Sequence, residues 1–168
     1  MKRKVVAVTG ASAGIGRATI REFAKDGCAL GLIARGTQGL EDAKREVEAL
    51  GGTAIALPTD VADAAAVESA AERIEKELGP IDVWVNVAFT NVFAPFHELT
   101  PEEYQRITDV SYLGFVFGTM SALKTHALQE QRDDRASRFS VVLSQHSVAG
   151  RLLRSKKRDS RVYRFVSL

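Results

Sequence analysis

The sequence contains a single cysteine, Cys28, and no long apolar run. One cysteine excludes an internal disulfide and a metal site with several cysteine ligands, and it is typical of a reducing cytosol. No apolar stretch approaches the roughly 20 residues that a membrane-spanning helix needs, and the apolar run near the N-terminus is too short for a signal peptide. We therefore predict a cytoplasmic protein with no membrane partner and no metal site.

Charge is unevenly distributed, although the net charge of the 168 residues is only +2. Residues 151–168 contain seven Lys or Arg and one Asp, so the rest of the chain is mildly acidic. A basic terminal segment can mark an arm that binds nucleic acid. We favour a different explanation of this segment, given below, and predict no nucleic-acid partner.

Strand-like and helix-like segments alternate along most of the chain. Strands are predicted at 4–9, 28–34, 53–57, 81–87 and 138–143, and helices at 15–25, 39–50, 64–78 and 100–128. Such alternation is typical of right-handed βαβ units. The predicted fold class is therefore α/β: a partial Rossmann fold with a parallel sheet of four or five strands and helices on both faces. The first helix is predicted to bury the face Ile15, Ala18, Thr19 and Phe23. Helix starts are predicted at Asp63 and at the capping box of Thr100 and Glu103.

The glycine-rich turn between the first strand and the first helix is the strongest functional signal. Such a turn presents backbone N–H groups, at a helix N-terminus, to a pyrophosphate. Gly10 permits the tight turn, Gly14 the approach of backbone to phosphate, and Gly16 the close packing of helix on strand. The alternative is an ordinary strand-to-helix turn without a ligand. The candidate cofactor-binding residues in this turn are Thr9, Gly10, Ser12, Gly14, Ile15 and Gly16.

The end of the second predicted strand bears on which dinucleotide binds. NAD-binding proteins usually carry an Asp or Glu there, which binds the ribose 2′-hydroxyl. This chain has Arg35 and Thr37 at that place and no acid until Glu41. Because Arg35 can pair with a 2′-phosphate through two hydrogen bonds, NADP is favoured over NAD. The alternative is that Arg35 is a solvated loop residue.

These motifs resemble those of the short-chain dehydrogenase/reductase family, whose cofactor turn has the form Thr-Gly-x-x-x-Gly-x-Gly. The resemblance implies that Asp60 and Val61 are the family's Asp-Val pair, whose Asp contacts the adenine. It also implies that Asn86 and Ala88 belong to the Asn-Asn-Ala-Gly motif beside the cofactor, although the other two positions of that motif differ here. The alternative for Asn86 is a strand-end residue bonded to local backbone.

The resemblance also implies a catalytic set of an Asn, a Ser and a Tyr-x-x-x-Lys pair, in which the Lys lowers the pKa of the Tyr. Ser111 stands where the Asn is expected, and Tyr163 is followed four residues later by Ser167 instead of Lys. We therefore assign no catalytic residue. The implied function is hydride transfer between a nicotinamide cofactor and a small carbonyl or alcohol, with this chain catalytically impaired. The alternative is a non-catalytic dinucleotide-binding fragment.

The motifs of the resemblance extend from residue 4 to about residue 124. We therefore divide the chain into an incomplete NAD(P)-binding Rossmann-like domain at 1–128 and an irregular basic tail at 129–168. Codons for residues 126–165 can be chosen so that a frame read one base later encodes a strand, a Ser and a Tyr-x-x-x-Lys pair. We interpret the chain as truncated or read out of frame from about Lys124 onward, which the DNA of the gene would test. Family members commonly form homo-oligomers through their later helices, of which this sequence has one, so the oligomeric state stays open.

Overall fold

The computed structural model of the chain describes residues 3–132 and 140–143. One parallel sheet forms its centre, with strands in the order β3-β2-β1-β4-β5. The strands are β1 (Val5–Thr9), β2 (Ala29–Ala34), β3 (Thr53–Pro58), β4 (Val83–Asn86) and β5 (Ser140–Leu143). The helices are α1 (Gly14–Lys25), α2 (Thr37–Ala49), α3 (Ala64–Leu78), α4 (Pro101–Thr108) and α5 (Gly114–Arg132). The predicted α/β class and partial Rossmann architecture are confirmed.

The two faces of the sheet each carry a separate hydrophobic core. Because side chains alternate along a strand, Val5 and Ala7 of β1 pack with α3 on one face, while Val6 and Val8 pack with α1 and α2 on the other. All residues of β1 and β2 are buried, as expected for central strands of a parallel sheet. Helices therefore cover both faces, as the alternating pattern predicts.

The helix starts that were predicted from capping residues are confirmed. The Asp63 side chain accepts a hydrogen bond from the N–H of Ala66 at the start of α3. At the start of α4, Thr100 and Glu103 form a reciprocal capping box. Three backbone N–H groups that the helices themselves cannot satisfy, those of Ala66, Thr100 and Glu103, are thereby paired.

The predicted buried face of α1 is wrong in part. The buried residues of this helix are Gly16, Thr19, Ile20 and Ala24, whereas Ile15 and Ala18 are exposed. The physical reason is the absent side chain of Gly16, which lets this side of the helix approach the preceding turn. A Cβ built on Gly16 would lie only 2.0 Å from the carbonyl oxygen of Gly10.

The single helix predicted over 100–128 is also wrong in detail. The structure has α4, then a π-helical turn at Asp109–Leu113, then α5, which continues to Arg132. Within this turn, the Ser111 hydroxyl donates to the carbonyl of Thr90 at 2.9 Å and accepts from the N–H of Thr90 at 3.1 Å. These bonds attach the turn to the chain that follows β4, in keeping with the tendency of π-helical turns to occur at functional sites.

The segment that we assigned to an irregular tail contributes a strand to the sheet. β5 pairs in parallel with β4, with Leu143 opposite Asn86. Residues 144–168, including Tyr163 and Ser167, lie outside the described residues. Within residues 3–132 and 140–143, no helix combines the length and apolar character needed to cross a membrane. In the same residues, no group of three or more His, Cys, Asp or Glu side chains could hold a metal ion.

Candidate functional site

The carboxyl ends of β1 to β4 lie along one edge of the sheet. From β1 the chain passes to β2 and β3 on one side and to β4 on the other. In open α/β sheets, ligands bind outside the carboxyl ends of the strands at such a change of direction. The candidate site is therefore the edge around the ends of β1 and β4.

The glycine-rich turn lies at this edge, and each of its three glycines has a separate geometric reason. Gly10 has a φ of 71°, and a Cβ on it would lie 2.9 Å from the Cα of Ala88 after β4. Gly14 has a φ of 53° with nothing within 4 Å, so only its backbone conformation favours glycine. Gly16 lies against the turn itself, since a Cβ on it would lie 2.0 Å from the carbonyl oxygen of Gly10. The turn is thus a backbone cradle that side chains would fill.

Thr9 joins the two strands at the centre of the edge. Its hydroxyl oxygen accepts hydrogen bonds from the N–H groups of Val87 at 3.0 Å and Ala88 at 3.1 Å. Its side chain is 1% exposed. Thr9 therefore connects β1 to the chain after β4, and it is an internal support of the cradle more than a surface donor. Ser12 is half-buried in the turn and Ile15 is 43% exposed at the start of α1.

The N-termini of α1 and α2 differ from those of α3 and α4. Within the described residues, neither α1 nor α2 has a side-chain hydrogen bond at its N-cap or an acidic residue in its first turn. By contrast, α3 and α4 carry side-chain caps. The first-turn N–H groups and the positive end of the helix dipole at α1 and α2 are therefore suited to an anion.

Arg35 and Thr37 stand where β2 leads into α2, and both are exposed. Gly36 between them is the N-cap of α2. Arg35 lies close enough to the end of β3 for its charge to lower the pKa of Asp60. This strand end thus presents a cation and a hydroxyl beside an uncapped helix N-terminus.

Asp60 is held by two donors. Its carboxylate accepts from the N–H of Ala62 at 3.0 Å and from the guanidinium of Arg106 on α4 at 2.7 Å. Burial alone would raise the pKa of Asp60, but these two hydrogen bonds and the charges of Arg106 and Arg35 outweigh it, so the pKa lies below its ordinary value. Asp60 is therefore an ionised carboxylate at neutral pH. Val61, next to it, is buried.

Asn86 is completely buried, and its side chain is engaged within the protein. Its Oδ1 accepts from the indole N–H of Trp84 at 2.9 Å, and its Nδ2 donates to the hydroxyl of Thr119 on α5 at 3.2 Å. Gly118 makes room for this carboxamide, since a Cβ there would lie 2.3 Å from Oδ1. Asn86 therefore bonds to side chains, and not to local backbone as its alternative interpretation proposed. Ala88 is half-buried beside Gly10.

Three residues that support this edge were not recognised as site residues from sequence. Arg17 of α1 contacts the glycine turn, Arg106 binds Asp60, and Ser111 binds the backbone after β4. The only signal for Arg17 is its place directly after Gly16. Arg106 and Asp60 are 46 residues apart, so only the fold brings them together.

Comparison with known proteins decides the family. A sequence model of the short chain dehydrogenase family matches residues 4–150. The chain belongs to the short-chain dehydrogenase family. This family consists of oxidoreductases that bind a nicotinamide dinucleotide, in agreement with the resemblance of the cofactor motifs.

Individual members show how far the similarity reaches. An uncharacterized oxidoreductase of Methylorubrum extorquens is 38% identical over 125 residues, which are 74% of this chain and 50% of that protein. A 3-dehydrosphinganine reductase of Danio rerio is 33% identical over 150 residues, 86% of this chain and 44% of that protein. The crystal structure of a 3-ketoacyl-ACP reductase from Sinorhizobium meliloti 1021 superimposes with a TM-score of 0.72 at 29% identity, covering 83% of this chain and 52% of that one.

The residues matched by the relatives bear on the proposed division into a domain at 1–128 and a tail at 129–168. The chain spans about half the length of the curated relatives it matches. The family match continues to residue 150, past the end of the motifs near residue 124. The matched lengths differ between relatives, with 125 residues for the Methylorubrum protein and 150 for the Danio protein. The interpretation of the tail as out-of-frame sequence stays a prediction.

Proposed function

We propose that residues 1–128 of this short-chain dehydrogenase bind NADP, and that the family's reaction, hydride transfer between the nicotinamide and a small carbonyl or alcohol, is impaired in this chain. The single observation that carries the proposal is the sheet edge at which the glycine cradle and the uncapped N-termini of α1 and α2 lie together. A dinucleotide phosphate needs such backbone donors and open space.

The residues present fit the parts of the cofactor in order along this edge. The turn from Gly10 to Gly16 would hold the pyrophosphate, and Arg35 with Thr37 would hold the 2′-phosphate. Asp60 and Val61 lie at the end of β3, where the adenine would bind. Asn86 would act indirectly, because its carboxamide fixes the end of β4 from inside, while the backbone at Ala88 would adjoin the nicotinamide side.

The bound nicotinamide would supply the hydride chemistry, and the chain's part is to orient the ring and move a proton. The sequence departs from the family at the residues expected to supply that proton. Ser111 replaces the Asn, and its hydroxyl is bonded to the backbone of Thr90. Tyr163 has Ser167 in place of the Lys that would lower its pKa. We therefore expect binding without efficient turnover.

A non-catalytic dinucleotide-binding module is the second candidate function, and the same residues would serve it. It is favoured by the difference between the glycine turn, which keeps the family's pattern, and the altered catalytic positions. The proposal includes a cytoplasmic location, which rests on the single cysteine, and homo-oligomerisation, which rests on the family.

Thermal unfolding of the 168-residue chain with NADPH or NADH tests the proposal. Saturating ligand at about 100 times Kd stabilises the folded state by about 2.7 kcal/mol, or roughly 5–11 °C for a chain of this size. We expect NADPH to produce the larger shift. Arg35→Met should reduce it to the NADH value, because a charge-assisted pair to the phosphate is lost.

Arg73→Met is the matched control, since Arg73 is an exposed arginine on α3 that pairs with Glu77. It should leave both shifts unchanged. Equal shifts for the two cofactors in the unaltered chain would contradict the preference for NADP. No shift with either would contradict dinucleotide binding. NADPH consumption with a panel of small aldehydes and ketones should stay at background, and turnover would refute the impairment.

A further inference from the structure

A half-buried arginine joins the glycine turn to α2. The guanidinium of Arg17 donates from Nη1 to the carbonyl of Ser12 in the turn and to the carbonyl of Gly39 in α2, both at 3.2 Å. From Nε it donates to Glu46 of α2 at 2.6 Å. One side chain on α1 therefore connects the turn that would hold the pyrophosphate with the helix whose start carries Arg35 and Thr37.

A close approach between the same two segments is a second, independent observation. A Cβ built on Gly39 would lie 3.1 Å from the Cβ of Ser12. The first turn of α2 and the glycine turn are therefore in near contact at this point. The side chain of Arg17 is 20% exposed, so water competes little for its hydrogen bonds.

Glu46 of α2 holds the Arg17 side chain in the position from which it joins the glycine turn to α2. It binds both Arg17 and Arg21, and hydrogen bonds from these two guanidinium groups lower the pKa of its carboxyl group. The two arginines differ in one respect that an experiment can use. Arg17 bonds to Glu46 and to both backbone carbonyls, whereas the bond of Arg21 goes to Glu46.

We propose that Arg17 is a positioning residue that sets the distance between the pyrophosphate site at the glycine turn and the 2′-phosphate site at the start of α2, and thereby supports discrimination between NADP and NAD. This inference rests on the proposed function. Arg17 does not need to touch the cofactor. NADH has no 2′-phosphate to place at the start of α2, whereas NADPH must engage the turn and the start of α2 at the same time, so a change in their spacing penalises NADPH more than NADH.

Arg17→Met and Arg21→Met are the matched pair of variants. Methionine replaces the aliphatic stem of arginine with a similar unbranched chain and removes the guanidinium. In either variant Glu46 retains one arginine partner, so its carboxylate is not left unpaired. We expect Arg17→Met to weaken NADPH about tenfold or more, as for lost hydrogen bonds of a charged group, and NADH several-fold less. Arg21→Met should leave the ratio of the two affinities unchanged. Arg17→Lys should restore part of the ratio, since it keeps the charge but not the planar fork.

Amide hydrogen exchange of the cofactor-free chain gives a readout that does not depend on binding. Arg17→Met should accelerate exchange at residues 10–14 and 36–40 selectively, and Arg21→Met should not. Uniform acceleration over the whole chain, or an equal loss of NADPH and NADH affinity, would overturn the proposal in favour of a general contribution to stability. If the unaltered chain binds neither cofactor, the proposed function and the specificity role both fail. The exchange result then decides separately whether Arg17 connects the two segments.

Discussion

Gly16→Ala tests whether the packing of α1 against the glycine turn is as tight as the structure indicates. The added methyl would lie 2.0 Å from the carbonyl oxygen and 2.6 Å from the carbonyl carbon of Gly10, whereas real Cβ atoms essentially never approach within 3.0 Å of such atoms. Both obstacles are backbone, so no side chain can rotate away. The helix has to move away from the turn by about 1 Å, which loosens the contacts of Ile20 and Ala24 with the sheet.

The expected cost follows from two opposing effects. Overpacking of this kind costs typically 1–3 kcal/mol, and we take about 3 kcal/mol because the obstacle is backbone. Alanine regains about 1 kcal/mol through its better helix propensity. The net loss is about 2 kcal/mol of unfolding free energy, or roughly 4–8 °C in Tm for a chain of this length.

Two further glycines provide the controls in the same thermal unfolding assay. Gly36→Ala adds a methyl where nothing lies within 4 Å, at an ordinary φ of −84°, and should lower the Tm only slightly, because alanine is a weaker N-cap than glycine. Gly14→Ala meets open space but must adopt a φ of 53°, so we expect an intermediate loss of about 1 kcal/mol. If Gly16→Ala had the same Tm as Gly36→Ala, the close packing of α1 on the turn would be refuted.

Three other outcomes can be measured on the same chain. Asn86→Leu should lower the unfolding free energy by about 1–3 kcal/mol in urea titration, since it leaves the buried indole N–H of Trp84 without its acceptor; an unchanged midpoint would contradict the network. Because the pKa of Asp60 lies below its ordinary 3.8, the unfolded chain binds the proton first as the pH falls, so acid removes the stability that this carboxylate contributes. The free energy of unfolding of Asp60→Asn, measured in urea, should therefore fall less steeply than that of the unaltered chain between about pH 5 and pH 3. An identical slope for the two proteins would contradict the lowered pKa of Asp60. Burial raises the pKa of the Cys28 thiol, so it should react with a disulfide reagent only on unfolding, and rapid labelling of the native chain would contradict its burial.

Much of the fold could be predicted because its signals are local. The buried strand β1, the start of α3 at Asp63 and the capping box at Thr100 each depend on a few neighbouring residues, and the structure has all three. The break between α4 and α5 could not be predicted. It coincides with two hydrogen bonds between Ser111 and Thr90, which lies 21 positions earlier, and no local propensity encodes such a contact.

The candidate site divides in the same way. The glycine positions are readable from sequence, because a turn between strand and helix needs glycine wherever backbone must approach backbone or adopt a positive φ. The interactions of polar side chains are not readable. Sequence alone left Asn86 between a cofactor contact and a local bond, and only the packing of α5 shows its carboxamide bound to Trp84 and Thr119.

The sequence by itself determined the α/β class, the glycine-rich turn and the family, because periodicity and glycine spacing are properties of short segments. Tertiary structure alone decided which side chains support the site. Arg17 meets Gly39 across 22 residues and Arg106 meets Asp60 across 46, since parallel crossovers bring distant segments to one edge of the sheet. The glycine turn is therefore a property of the sequence, and the supports around it are a property of the fold.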